Sequence, residues 1–169
     1  LRLNKWDDAV KSYEAALGIK PKLTEAHNNL GIAFKELGKL DDAFRCYQMA
    51  LNINPNYAEA LLNIGFILHK RGKLDESIKC YLQTLSIKPD YAEAHNNFGN
   101  VLMDLGQLDE AVKNFKIAIS IKPNYAQAHN NYGIALDALG DQSAAVKSFK
   151  RAISIKPNYA AAYSNYAEL

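Results

Sequence analysis

Cysteine is scarce in this chain: Cys46 and Cys80 are the only two in 169 residues. No apolar run approaches the roughly 18 residues of a membrane-spanning helix, no signal-peptide pattern opens the chain, and no N-x-S/T acceptor site is present. Charge of one sign is also lacking. A net charge of +2 gives no bulk attraction to nucleic acid or an anionic membrane, so neither is expected as a partner. No phosphate-cradling glycine loop, no cluster with metal-ligand spacing and no nucleophile with a matching base stands out. An enzyme, a cofactor and a metal site are therefore not expected in this chain. At 49% hydrophobic and 22% charged, the composition is that of a folded protein.

What the chain has is a period. Pro21, Pro55, Pro89, Pro123 and Pro157 recur every 34 residues, as do Gly38, Gly72, Gly106 and Gly140, and Gly31, Gly65, Gly99 and Gly133. Proline near one helix start and glycine between helices is the pattern of stacked helical hairpins. Counted from just after each proline triplet, the complete units are 24–57, 58–91, 92–125 and 126–159. They are preceded by a partial unit, 1–23, in which "LRLNKW" closes a first helix and a second runs from about Trp6 to Ile19. A partial first helix, 160–169, follows. Asp41, Asp75, Asp109 and Ser143 stand where they can cap the second helices. "NYAE" and "DYAE" have the spacing of a capping box, with Glu59 and Glu93 in third place. The two cysteines hold equivalent places in successive units, roughly 8 to 10 Å apart, too far for a disulfide, which fits a reduced cytoplasmic setting.

These residues resemble the tetratricopeptide repeat family. The family pattern of small residues at places 8, 20 and 27, an aromatic at 24 and proline at 32 is met by Gly31, Ala43, Ala50, Tyr47 and Pro55, and again by Gly99, Ala111, Ala118, Phe115 and Pro123. The second unit departs from it with Ser77 and Thr84. The resemblance covers the whole chain and implies an all-α, right-handed α-solenoid of antiparallel helix-turn-helix units. A helical wheel puts places 3, 4, 7, 8, 10, 11 and 14 of each first helix on its packing side, with Tyr57, Tyr91, Tyr125 and Tyr159 between units. An array of this kind with apolar terminal faces can also associate end to end.

Within this frame one residue type repeats against its helix propensity. Asn29, Asn63, Asn97, Asn131 and Asn165 all stand at place 6, in "AHNNLG", "ALLNIG", "AHNNFG", "AHNNYG" and "AYSNYA". The wheel puts this place with 2, 5, 9, 12 and 13, the side that in the family lines a concave groove. A primary amide can bond both N–H and C=O of an extended peptide. The row resembles the asparagine ladder of O-linked N-acetylglucosamine transferase repeats, which implies capture of a protein or peptide segment by its backbone. Asn28, Leu62, Asn96, Asn130, Ile32, Phe66, Asn100 and Ile134 beside the row would then set preference. The alternative is that the same asparagines bridge adjacent repeats. "NPNYAEA", "KPDYAEAH" and "KPNYAQAH" also resemble arrays attached to glycosyltransferase or sulfotransferase domains, which implies a substrate-recruiting arm. A carboxylate clamp is not expected, because its groove places include Glu25, Glu59 and Glu93.

Two further rows are read as structural. His27, His95 and His129 share place 4, one or two units apart, and cannot meet at one metal ion. Lys11, Arg45, Lys79, Lys113 and Lys147 repeat along the second helices, which in the family form the convex wall. They read as a solvated face, with a scaffold that binds partners there as the competing reading.

Overall fold

A computed structural model describes the backbone from residue 2 and side chains from residue 5. Among the described residues it is all helix, in ten segments and without a strand. These are α1 (Arg2–Ile19), α2 (Thr24–Glu36), α3 (Leu40–Ile53), α4 (Ala58–Lys70), α5 (Leu74–Ile87), α6 (Ala92–Asp104), α7 (Leu108–Ile121), α8 (Ala126–Ala138), α9 (Gln142–Ile155) and α10 (Ala160–Ala167). They form two compact units, Leu1–Lys88 and Pro89–Leu169. In the first, α2 packs on α3 and α4 on α5, with α1 against α2 and α3 against α4. In the second, α6 packs on α7 and α8 on α9, while α8 also meets α6, α7 and α10. The expected break near Trp6 is absent, since α1 runs unbroken from Arg2 to Ile19.

Each hairpin turns at a glycine. Gly38, Gly72, Gly106 and Gly140 have φ of 75°, 72°, 72° and 85°, left-handed values that an L side chain strains to adopt. At the first of them the Lys39 amide bonds back to the Phe34 carbonyl at 2.9 Å and that of Gly38 to Lys35 at 3.0 Å, satisfying carbonyls the helix end leaves free. The second helices end on extended residues such as Asn54, followed by proline, which cannot continue a helix.

The helix starts differ from expectation. Asp41, Asp75, Asp109 and Ser143 do not cap: they lie inside the first turns, and α3, α5 and α7 have no side-chain cap. Their acids instead face the positive end of the helix dipole. Asp141 is the residue that caps α9, accepting from the Ala144 amide at 3.0 Å. Nor do Glu59 and Glu93 complete capping boxes, because α4 and α6 begin behind Tyr57 and Tyr91, which have no short oxygen-bearing side chain to offer. These glutamates pair with lysines that follow the next second helix, Glu59 with Lys88 at 3.7 Å and Glu93 with Lys122 at 2.7 Å.

The seam of each hairpin explains the glycine at place 8. A Cβ on Gly31 would sit 2.5 Å from the Tyr47 ring, and one on Gly99 or Gly133 would sit 2.6 Å from Phe115 or Phe149. Those rings are at most 1% exposed. Ser77 and Thr84, which depart from the small-residue pattern, are fully buried with their hydroxyls satisfied: Ser77 donates to the Gly65 carbonyl and Thr84 to that of Cys80, each at 2.8 Å.

Candidate functional site

The five place-6 asparagines are all half-buried, as are Ile32, Phe66, Asn100 and Ile134 at place 9. Place 5 differs from the wheel. Asn28, Leu62, Asn96 and Asn130 are buried, between 0% and 8% exposed, and so do not form an open floor. The physical reason is that a first helix packs against its own second helix and also against neighbouring helices, as α8 does with α6, α7, α9 and α10. Its buried arc is therefore wider than a single-seam wheel allows.

The amides are joined to one another. In the second unit the Asn165 side-chain amide donates to Asn130 Oδ1 at 2.9 Å, and Asn130 donates to Asn131 Oδ1 at 3.4 Å. Asn131 then donates to Asn96 Oδ1 at 3.1 Å and to Asn100 Oδ1 at 2.9 Å, and Asn96 to Asn97 Oδ1 at 3.3 Å. Place 6 of one repeat thus bonds place 5 of the repeat before it, 35 residues earlier. Burial explains the order: a buried amide must find a partner, and a primary amide can both donate and accept.

In the first unit the same offset joins Asn63 to Asn28, yet that bond is not made. Asn63 Nδ2 donates instead to the Glu59 carbonyl at 2.9 Å, and Asn63 Oδ1 accepts from Lys35 Nζ at 3.2 Å. Asn28, 3% exposed, is left with a buried Oδ1 that has no partner. Two place-6 amides keep unengaged N–H groups among the described residues. Asn29 and Asn97 accept from Asn28 and Asn96, at 3.5 and 3.3 Å, and donate to nothing.

Lys35 and Lys70 flank the Phe66 ring, each ammonium 5.8 Å from its centroid. With Glu36 and Leu40 they line an open depression of about 590 Å³. Burial holds the Lys35 ammonium below the usual lysine range, against the opposing pull of Glu36. A larger depression of about 780 Å³ lies among the second helices α3 and α5, with Phe44, Met49, Leu51 and Cys80 in its lining.

Sequence reasoning left the place-4 histidines without partners, and the structure supplies a proline carbonyl for each and, for His95 Nδ1, Asn114 Oδ1 at 3.0 Å as well. His27, His95 and His129 donate from Nε2 to the carbonyls of Pro21, Pro89 and Pro123, at 2.9, 3.0 and 3.0 Å. The fixed separation of histidine from proline, six residues each time, was the available signal. Burial lowers the His129 pKa, with the Pro123 carbonyl acting in the opposite sense. Both cysteines are free, and burial pushes the Cys46 thiol up to about 11, far from a reactive thiolate. Lys11, Arg45, Lys79, Lys113 and Lys147 are exposed or partly so, with Arg45 and Lys113 paired to Asp42 and Glu110 on their own helices. Among the described residues no three His, Cys, Asp or Glu side chains converge as metal ligands, and no helix is long and apolar enough to cross a membrane.

Paired helices with a glycine turn, repeated at 34 residues around an aromatic-on-glycine seam, define a helical-repeat protein of the α-solenoid class. The chain belongs to the tetratricopeptide repeat family: the family described as TPR repeat matches residues 1–38, 33–72, 67–106 and 99–140, and that described as tetratricopeptide repeat matches 126–159. None of the curated proteins compared with the chain matches it. Among solved structures, that of MamA is 25% identical, with a TM-score of 0.75 over 93% of this chain and 92% of its own. YrrB, described as a TPR protein with an unusual peptide-binding site, is 21% identical, with a TM-score of 0.72 over 99% and 86%. TTC0263, described as a thermophilic TPR protein of Thermus thermophilus, is 20% identical, with a TM-score of 0.81 over 99% and 91%. The fold is that of a protein-protein interaction module.

Proposed function

We propose that the chain is a single repeat array, with the complete units given above, that reversibly captures an extended protein segment along the exposed side of its first helices. The observation that carries this reading is the half-open row at places 6 and 9. Asn29 and Asn97 there keep free amide donors beside Ile32, Phe66, Asn100 and Ile134. Free amides would hold the segment's carbonyls, and the apolar side chains would receive its side chains, the division of labour by which extended segments are bound. The peptide-binding site described for YrrB is consistent with this use of the fold. Asn131 and Asn165 take the other role, joining repeats, so the row serves both purposes at different rungs.

The test selects binders from a peptide library with the wild-type chain and compares their affinities for the Asn29→Ala/Asn97→Ala variant. Binding should weaken at least tenfold, read at a temperature where circular dichroism shows the variant as helical as wild type, because Asn29 and Asn97 also accept from the buried Asn28 and Asn96. Unchanged affinity sinks the reading. A second reading, a substrate-recruiting arm for a glycosyltransferase or sulfotransferase domain, rests on the "NPNYAEA" and "KPDYAEAH" phrases. The parent gene's full sequence decides it.

A further inference from the structure

The first unit departs from the amide pattern of the second at one place, and the departure is centred on a lysine. By the 35-residue offset, Asn63 is the residue that bonds Asn28, as Asn131 bonds Asn96 and Asn165 bonds Asn130. Lys35 instead holds Asn63 Oδ1, the Asn63 amide turns back to the Glu59 carbonyl, and the buried Asn28 Oδ1 is orphaned. An unsatisfied buried acceptor is unfavourable, so the unit is held in a state that a better partner for Lys35 would relieve. Lys35 has no carboxylate within 4 Å among the described residues, and neither has Lys70 across the Phe66 ring. The amide oxygen of Asn63 is a neutral acceptor, weaker than an ionised one for an ammonium. At the same places the second unit carries Asn100, Met103, Asp104, Ile134, Asp137 and Ala138, so this cationic arrangement belongs to the first unit alone.

We propose that the depression lined by Lys35, Phe66 and Lys70 takes an aspartate or glutamate side chain of the captured segment, and that its carboxylate, by drawing Lys35 away, frees Asn63 to bond Asn28. The inference rests on the groove reading above and adds to it the charge of the ligand and a coupling between capture and repeat-repeat bonding. The apolar stems of both lysines and the Phe66 ring suit the methylenes of such a side chain, and the two ammoniums suit its carboxylate. Glu36 lines the same depression without ion-pairing either lysine, so two ammoniums stand against one carboxylate there and a net positive charge is left for the ligand. Glu25, Glu59 and Glu93 lie outside this lining.

Two measurements test it. In the first, an acetylated and amidated decapeptide with glutamates alternating in a Ser/Gly background is titrated by fluorescence anisotropy against its glutamine counterpart. The glutamate peptide should bind at least tenfold more tightly, and Lys35→Met/Lys70→Met should erase the difference between the two peptides. Equal affinities for the two peptides in the wild type, or a preference that survives the double variant, would overturn the proposal while leaving the groove reading intact. Failure of both peptides to bind would count against both. In the second, without ligand, Lys35→Met should raise the urea midpoint, because Asn63 is then free to satisfy Asn28. The same change in an Asn28→Leu background should give a clearly smaller rise. Equal rises in the two backgrounds would show that Asn28 and Lys35 are not coupled.

Discussion

At the scale of single residues, the array is governed by whether buried polar atoms find partners. Tyr47 fills the seam over Gly31, fully buried, with a hydroxyl that has no acceptor, while Phe115 and Phe149 fill the same place with no hydroxyl at all. Burial accordingly pushes the Tyr47 pKa up. Tyr47→Phe should therefore be neutral or stabilise the chain by about 1 kcal/mol, the scale of relieving one unmet hydrogen bond, measured by urea denaturation. A loss of about 1 kcal/mol or more would show that the hydroxyl has a partner in solution. His129 yields a pH effect whose sign follows from its lowered pKa. Between its depressed folded value and the usual 6.5, the unfolded chain takes up a proton that the folded chain refuses, so its contribution is complete above 6.5 and is lost as pH falls through that window. His129→Leu, the residue type found at Leu61, should flatten the fall in unfolding midpoint between about pH 7 and pH 5. An unchanged slope would assign the fall to other groups.

At the scale of the element, the repeat is set by close approach. In α6 a methyl group on Gly99 would press into the Phe115 ring, whereas one on Gly18 in α1 would meet nothing within 4 Å. Gly99→Ala should cost about 1–3 kcal/mol from overpacking, reduced by the roughly 1 kcal/mol by which alanine is the better helix former. Gly18→Ala should gain, and a urea series on both separates packing from propensity. If Gly99→Ala is as stable as wild type, the seam is looser than the ring positions imply. The hairpins were legible in the sequence because proline and glycine act locally and recur in phase, so the boundaries of α2 to α9 follow from punctuation alone. The caps were not, because aspartate just before a helix and aspartate one or two residues inside it share nearly the same sequence; Asp41 lies inside α3 and Asp141 before α9. Place 5 was misassigned for a different reason: Asn28 and Asn96 are buried, Asn96 under a bond from Asn131 of the next repeat, and a wheel drawn for one helix holds no information about a second packing direction.

At the scale of the whole molecule, stability is a sum over neighbouring repeats and not the property of one core. The asparagine row shows how a site can be half legible in such a protein. Its period was visible in the sequence, and its position on the partly open side of the first helices followed from the wheel. Its division between joining repeats and facing outward was not, because that depends on what else each amide meets: Asn131 and Asn165 reach place 5 of the preceding repeat, whereas Asn63 is held by Lys35 and the Glu59 carbonyl. Asn165 and Asn131 meet Asn130 and Asn96 within the second unit. Asn131→Ala should lower stability by about 1–3 kcal/mol by stranding the Asn96 and Asn100 oxygens and the Asn130 amide, with a smaller loss for Asn97→Ala, which strands the Asn96 amide alone. Matched losses for the two would contradict this division. The claim that the outward rungs hold a ligand is tested most directly by following the side-chain amide resonances of all five asparagines by NMR as a library-selected peptide is added. The account predicts that the Asn29 and Asn97 amide signals shift in proportion to occupancy while Asn131 and Asn165 keep theirs. Shifts confined to the second helices around Lys79 and Lys113, with Asn29 and Asn97 unmoved, would contradict it and favour a scaffold that binds by its other face.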